Sequence, residues 1–172
     1  MAAHRDYPTL VAAARGLRGL SLEEAMGRCT RLLWDAYSPL AEPSLSWIGF
    51  YRREALDAPM GEEMTLVCRE PKPACSPIGL HGMCGRGWQE ARPIVIADVR
   101  TLGKGYIACD PRDQSELVVP VILKDGTCWG VLDADSYDIG AFTEDDAAGM
   151  GAILEAAGIS HPREGNRRVM RL

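Results

Sequence analysis

ELVVPVILKDGTCWGVLDAD, residues 116–135, is two apolar runs separated by Asp125-Gly126, a pair favoured in tight hairpin turns. A two-residue loop there sets Lys124 opposite Thr127, and the rest of the register follows. One face then carries Leu117, Val119, Val121 and Leu123 against Ala134, Leu132, Gly130 and Cys128, an almost wholly apolar surface that belongs in a core. The other face sets Ile122 against Trp129, Pro120 against Val131, Val118 against Asp133 and Glu116 against Asp135. It is apolar at one end and acidic at the other. Like charges opposed on neighbouring strands destabilise a sheet, by an amount comparable to the roughly 0.2–1 kcal/mol that a good pair contributes, so the acidic end needs compensation. A solvated edge with a nearby base is one answer. A pocket for a ligand with an ammonium group is the other, and there mutual repulsion would hold one carboxyl protonated at neutral pH.

Upstream, SWIGFY (46–51), MTLVC (64–68) and PIVIA (93–97) read as strands separated by Pro and Gly. Alternation in WIGFY sends Trp47, Gly49 and Tyr51 to one side and Ile48 and Phe50 to the other, so the two aromatics can pack in a core or wall the acidic pocket. MCGRGWQEA (83–91) fits a short helix. Ser21-Leu-Glu-Glu24 is a capping box ahead of Leu22, Ala25, Met26, Cys29, Leu32, Leu33, Ala36 and Tyr37, the stripe of a helix over about 22–38. A second helix is expected over 7–18, interrupted by Gly16 and Gly19. Phe142, Thr143 and Asp146 open a last helix with Ala147, Met150, Leu154 and Ala157 on its apolar face. Helices at both ends that need a sheet to cover them imply an α+β domain. We divide it into N-terminal helices (1–45), a core (46–159) and a polar, basic, loosely held tail (160–172).

The chain has 172 residues, enough for one domain with a core that needs no staple. Its 19 basic against 24 acidic residues, net −5, give no electrostatic footprint for nucleic acid or a membrane surface. Arg5 and Asp6 interrupt any signal-peptide run, and no stretch matches the length of a membrane span. The expected location is the cytoplasm, where thiols stay reduced, so six cysteines point to burial, metal or redox work rather than permanent bridges. Cys29 on a helix stripe, Cys68 at a strand end and Cys128 on the apolar hairpin face read as packing. Cys75, Cys84 and Cys109 lie in Pro- and Gly-rich loops. With His81 they make a conceivable zinc set, but one without the paired CxxC spacing of zinc ribbons.

KPAC (72–75), GMCG (82–85), DV (98–99), IACD (107–110), SELVVP (115–120) and GVLDADS (130–136), with WIGFY upstream, form an ordered set that resembles the GAF-domain free methionine-(R)-sulfoxide reductases over about residues 46–146. The resemblance implies a GAF-like fold, a central antiparallel sheet of about six strands with N- and C-terminal helices packed on it. It implies reduction of free methionine sulfoxide of one sulfur configuration, with Cys109 as nucleophile, Cys75 resolving it and Cys84 as a further thiol. Glu116, Asp133 and Asp135 match the substrate-binding carboxylates, with Glu116 or Asp133 as the acid, and Trp47 and Tyr51 match the aromatics around the methylthio group. A thioredoxin-type donor would recycle the disulfide, no metal, flavin or nicotinamide is needed, and relatives of this kind often form dimers. A GAF module that only binds or senses, without turnover, is the alternative. The chain departs from the family in two loop lengths and at Tyr106, where His is frequent, which removes a possible base or hydrogen-bond partner beside Cys109. Lys104 or Lys72 could lower the Cys109 thiol pKa in its place, but a loop lysine is more often simply solvated.

Overall fold

The computed structural model describes residues 5–38, 44–106 and 108–172. Residues 1–4 and 39–43 of the expected N-terminal helical segment, and Ile107 of IACD, lie outside the described residues. The strands are β1 (Trp47–Arg53), β2 (Met64–Glu70), β3 (Ile94–Ile96), β4 (Ser115–Ile122), β5 (Cys128–Ser136) and β6 (Met170–Arg171). They form one six-stranded sheet in the order β2-β1-β5-β4-β3-β6, antiparallel throughout except for the β3–β6 pair.

The hairpin register is the expected one at its acidic end: Glu116 faces Asp135, Val118 faces Asp133 and Leu117 faces Ala134. The turn is not. Gly126 N–H donates to the Leu123 carbonyl (2.9 Å), Leu123 N–H donates to that of Thr127 (2.8 Å), and Gly126 has φ +92°. The loop is therefore the three residues Lys124–Gly126, which need only one left-handed position, whereas a type I′ pair needs two. Asp125 supports it by accepting from the Thr127 N–H (2.9 Å) and hydroxyl (2.7 Å). The extra loop residue slips the pairing so that Ile122 faces Cys128, not Trp129, and a bulge at Trp129 restores Val121 opposite Gly130. Trp129 consequently packs against the helix-covered core instead of the acidic side, and Cys128, only half-buried, leaves its expected place. Two departures cancel before the carboxylates are reached.

One face of the sheet is covered by α1 (Tyr7–Ala14), which continues as a 3-10 turn at Arg15–Leu17, by α2 (Leu22–Tyr37) and by the C-terminal helix (Glu144–Ala156). Ser21 caps α2 by accepting from Glu24 N–H, and Thr143 with Asp146 forms a reciprocal capping box on the C-terminal helix. Ile48 and Phe50 join this core with Leu117, Val119 and Leu132, and Cys29 is fully buried in it. The opposite face carries α3 (Met83–Glu90), which makes the C-terminal helix α4, and a second cluster containing Trp47, Tyr51, Ile94, Ile96, Val118 and Val131. Residues 160–172, expected to be loosely held, carry a 3-10 turn at Glu164–Arg167 and add β6 to the sheet edge, with Met170 and Leu172 against the second cluster. Among the described residues no helix is long and apolar enough to cross a membrane.

A Cβ at Gly130 would strike the Tyr51 backbone carbonyl, because β1 and β5 approach closely there. Gly130→Ala is expected to lower stability by about 3 kcal/mol. Gly151→Ala, in α4 where an added Cβ meets nothing within 4 Å, is expected to raise it by up to about 1 kcal/mol. Urea midpoints of the two variants check the pair, and equal effects would contradict the assigned register.

Candidate active site

A cavity of about 440 Å³ opens on the α3 side of the sheet at the acidic end of the hairpin. Glu116, Asp133 and Asp135 line it from β4 and β5, and Trp47 and Tyr51 from β1. Cys75, Cys84 and Cys109 line it from three further segments, so every residue expected at the site borders this one space.

The antiparallel register puts the carboxylates side by side, and the layers above deny water to Glu116 and Asp133 while Asp135 is half-buried. Glu116 is 4% and Asp133 8% exposed. Burial first, then the charge of Asp133, pushes Glu116 well above the usual carboxylate range, and burial with the neighbouring acids does the same to Asp135. Asp133 is raised to about 7, again by burial first, and a carboxyl oxygen of it lies within 4.8 Å of both the Cys84 sulfur and the Glu116 carboxyl. A fourth acid, Asp113, is 6% exposed, raised to about 6 mainly by burial, and accepts from Ser46 Oγ at 2.8 Å. Lys72 and Arg112, the bases that act on Asp113, are themselves paired with Asp110. Asp133 Oδ1 is buried and has no hydrogen-bond partner among the described residues, which leaves an acceptor for a ligand's N–H or O–H. Tyr106 does not leave a gap near Cys109: its hydroxyl donates to Glu116 Oε2 at 2.9 Å.

All six cysteines are free thiols. Cys75 and Cys109 are exposed residues at the cavity rim, close enough for one thiol to perturb the other. Desolvation, then the neighbouring Cys75 thiol, raises the Cys109 thiol to about 12. Lys72 is occupied elsewhere, donating to Asp110 Oδ2 at 2.6 Å, and Lys104 is an exposed side chain outside the cavity lining. Cys84, on the first turn of α3, is buried against Asp133, and desolvation raises its thiol well above the ordinary range.

The thiol-bearing loops are held by bonds that no spacing rule reveals. Tyr51 hydroxyl donates to the Cys75 carbonyl (2.7 Å) and Trp47 Nε1 to that of Lys72 (2.9 Å), fixing the KPAC segment to β1. The two rings stand 6.1 Å apart and tilted by 34°. Asp110 receives Lys72, Arg112 and the Tyr137 hydroxyl, which hold its carboxyl far below the usual range and clamp KPAC to IACD. Asp113 and Tyr106 are the functional candidates that sequence reasoning missed or placed elsewhere, and Lys72 pairs with Asp110 rather than with a cysteine. Asp113 carried no signal beyond lying between Cys109 and Glu116. The quartet Cys75, His81, Cys84 and Cys109 does not converge on a metal. Among the described residues the set that could hold one is Cys84, Glu116 and Asp133, whose ligand atoms lie within 4.8 Å of one another.

Residues 19–160 match the family model described as a GAF domain. The Escherichia coli free methionine-R-sulfoxide reductase is 35% identical over 153 residues, 88% of this chain and 81% of that protein. The Saccharomyces cerevisiae free methionine-R-sulfoxide reductase is 36% identical over 124 residues, 70% of this chain and 65% of that protein, so the match spans just under two thirds of that relative. The solved structure of the fRMsr of Staphylococcus aureus in its reduced form superposes with a TM-score of 0.76 at 30% identity, covering 90% of this chain and 94% of that one.

The buried acids make stability depend on pH. Glu116 stays protonated in the fold where an unfolded Glu is ionised, so its contribution is full below about pH 4 and is lost as pH rises through the raised folded pKa. Glu116→Gln keeps an acceptor for Tyr106 and removes that loss. Its melting temperature is expected to exceed the parent's at about pH 8, by about 2–4 °C per kcal/mol recovered in a chain of this size, and the gap to shrink toward about pH 5. A gap independent of pH would contradict the neutral-acid assignment.

Proposed function

The chain belongs to the GAF domain family and, within it, to the free methionine-R-sulfoxide reductases, and from that premise we propose that it reduces free L-methionine-(R)-S-oxide to L-methionine in the cytoplasm, with a thioredoxin-type reductant closing the cycle. The observation that carries the reading is the pair of thiols, Cys75 and Cys109, at the rim of a cavity whose floor holds the protonated Glu116.

The acids take the substrate ammonium, with Asp135 as its main partner and Asp113 adding to the negative field. The N-terminus of α3, which has no side-chain cap and borders the cavity at Gly82 and Met83, offers backbone N–H groups to the carboxylate. A site that needs both charges refuses methionine sulfoxide within a polypeptide. Trp47 and Tyr51 exclude water around the methylthio group.

A sulfoxide oxygen leaves sulfur only when protonated, and Glu116, a neutral acid at working pH, supplies that proton with Asp133 beside it. Cys109 sulfur attacks. Oxygen passes from the substrate sulfur to Cys109, which becomes a sulfenic acid as methionine leaves, and the Cys109 thiol proton replaces the one Glu116 has given. Because that thiol is raised rather than activated, thiol deprotonation is coupled to oxygen protonation within the pocket. Cys75 then condenses with the sulfenic acid, releasing water and forming a disulfide, which two electrons and two protons from the reductant reopen. Cys84, buried under the acids, serves as a further thiol once the site opens. We assign this chemistry to the core, 46–159, and expect a homodimer that binds neither nucleic acid nor membrane.

Reduced protein with free methionine sulfoxide, thioredoxin, thioredoxin reductase and NADPH tests the reading. NADPH consumption is expected with the R diastereomer only. A protein that merely senses gives one oxidation event and no turnover, which overturns the proposal. Cys109→Ser is expected to abolish even a single turnover, and Cys75→Ser to release one equivalent of methionine and then stop. Full turnover by Cys109→Ser would overturn the assignment of the nucleophile.

A further inference from the structure

We propose that Tyr106 is a positioning residue that fixes which oxygen of Glu116 carries the acid proton and ties that choice to the segment bearing Cys109. The kinetic consequences rest on the reductase reading, but the geometry stands without it.

Tyr106 lies three residues before Cys109, half-buried against the second apolar cluster, with its hydroxyl 2.9 Å from Glu116 Oε2. The groups facing Glu116 are Asp133 and Asp135 from β5, Cys84 from α3, and Asp113 and Tyr106 from the segment before β4, while β3 sets apolar Ile96 opposite it. None of these is a cation. Glu116 is therefore a neutral carboxyl with one proton to place. Burial and the adjoining acids also hold the Tyr106 proton far more tightly than usual, so the phenol is always a donor here.

A neutral carboxyl has one good acceptor, its carbonyl oxygen, because the hydroxyl oxygen accepts poorly. With Tyr106 donating to Oε2, the acid proton sits on Oε1, and a carboxyl oxygen of Asp133 lies within 4.8 Å of the Glu116 carboxyl. Without the phenol the proton distributes over both oxygens and the carboxyl loses a fixed orientation. The same side chain joins the acid to the nucleophile's loop, so the two reacting groups are assembled by one contact. In the reaction nothing passes to or from Tyr106; the proton leaves Glu116 for the sulfoxide oxygen and is replaced from the Cys109 thiol.

Tyr106→Phe keeps the ring and its packing and removes one O–H. In that variant kcat is expected to fall about 10- to 100-fold with KM within about threefold of the parent, the pattern of a group that acts only in the transition state. The hydrogen bond favours the ionised form of Glu116, so its loss raises the pKa, and the alkaline limb of the kcat profile should move to higher pH. Carboxyl 13C NMR titration of the substrate-free protein, with the Glu116 resonance assigned through Glu116→Gln, reads the same upward move without catalysis. A kcat loss with neither shift would reduce Tyr106 to packing and overturn the proposal, as would an unchanged kcat with an unchanged titration. If the parent turns over neither diastereomer, the reductase reading fails and the NMR comparison alone decides the role of Tyr106.

Discussion

The structure depends on carboxyl groups crowded together out of water. Antiparallel pairing places Glu116 beside Asp135 and Asp133 one step further in, and Asp113 approaches from the loop before β4. Full ionisation would bury several like charges, so the fold keeps protons on the site and sets a neutral donor, the Tyr106 phenol, against Glu116. This arrangement costs stability in the substrate-free protein. What it provides is an acid usable at neutral pH and an acceptor, Asp133 Oδ1, that has no hydrogen-bond partner among the described residues.

The thiols answer to a different constraint, proximity. Cys75 and Cys109 are far apart in sequence, and the segments that carry them have little secondary structure. They meet because short polar contacts pin each loop to the sheet or to the other loop: Tyr51 on the Cys75 carbonyl, Trp47 on that of Lys72, and Lys72 on Asp110. The Lys72–Asp110 pair is partly exposed and contributes little stability by itself. Its effect is positional, since it holds the residue after Cys109 to the turn that leads into Cys75.

Much of this was legible in the sequence because strand alternation and hairpin pairing are local rules. Trp47 and Tyr51 fall on the acid side and Ile48 and Phe50 on the helix side, as the alternation in WIGFY requires. The acidic face was read from the turn at Asp125-Gly126, although the turn has three residues and Trp129 bulges to compensate, a cancellation invisible to period-two reasoning. Tyr106 was misjudged because its partner lies across a loop. Reading it beside Cys109 in sequence hid its contact with Glu116. Asp113 and the Asp110 clamp were missed for the same reason. The polar tail was expected to be loose because its charge was visible, while its pairing with β3 depends on a distant strand edge.

The central claim is that Glu116 and Asp135, at the floor of the site, keep their protons until a cation arrives. The most direct measurement is the proton balance of ligand binding: titration calorimetry of free methionine sulfoxide into Cys109→Ser at neutral pH, repeated in buffers of different ionisation enthalpy. An ammonium seated among these carboxyls lowers their pKa values, so the account predicts net release of about one proton per ligand bound, diminishing as the pH is raised. Binding with no proton exchange, or with uptake, would mean that the acids are already ionised and would contradict the account.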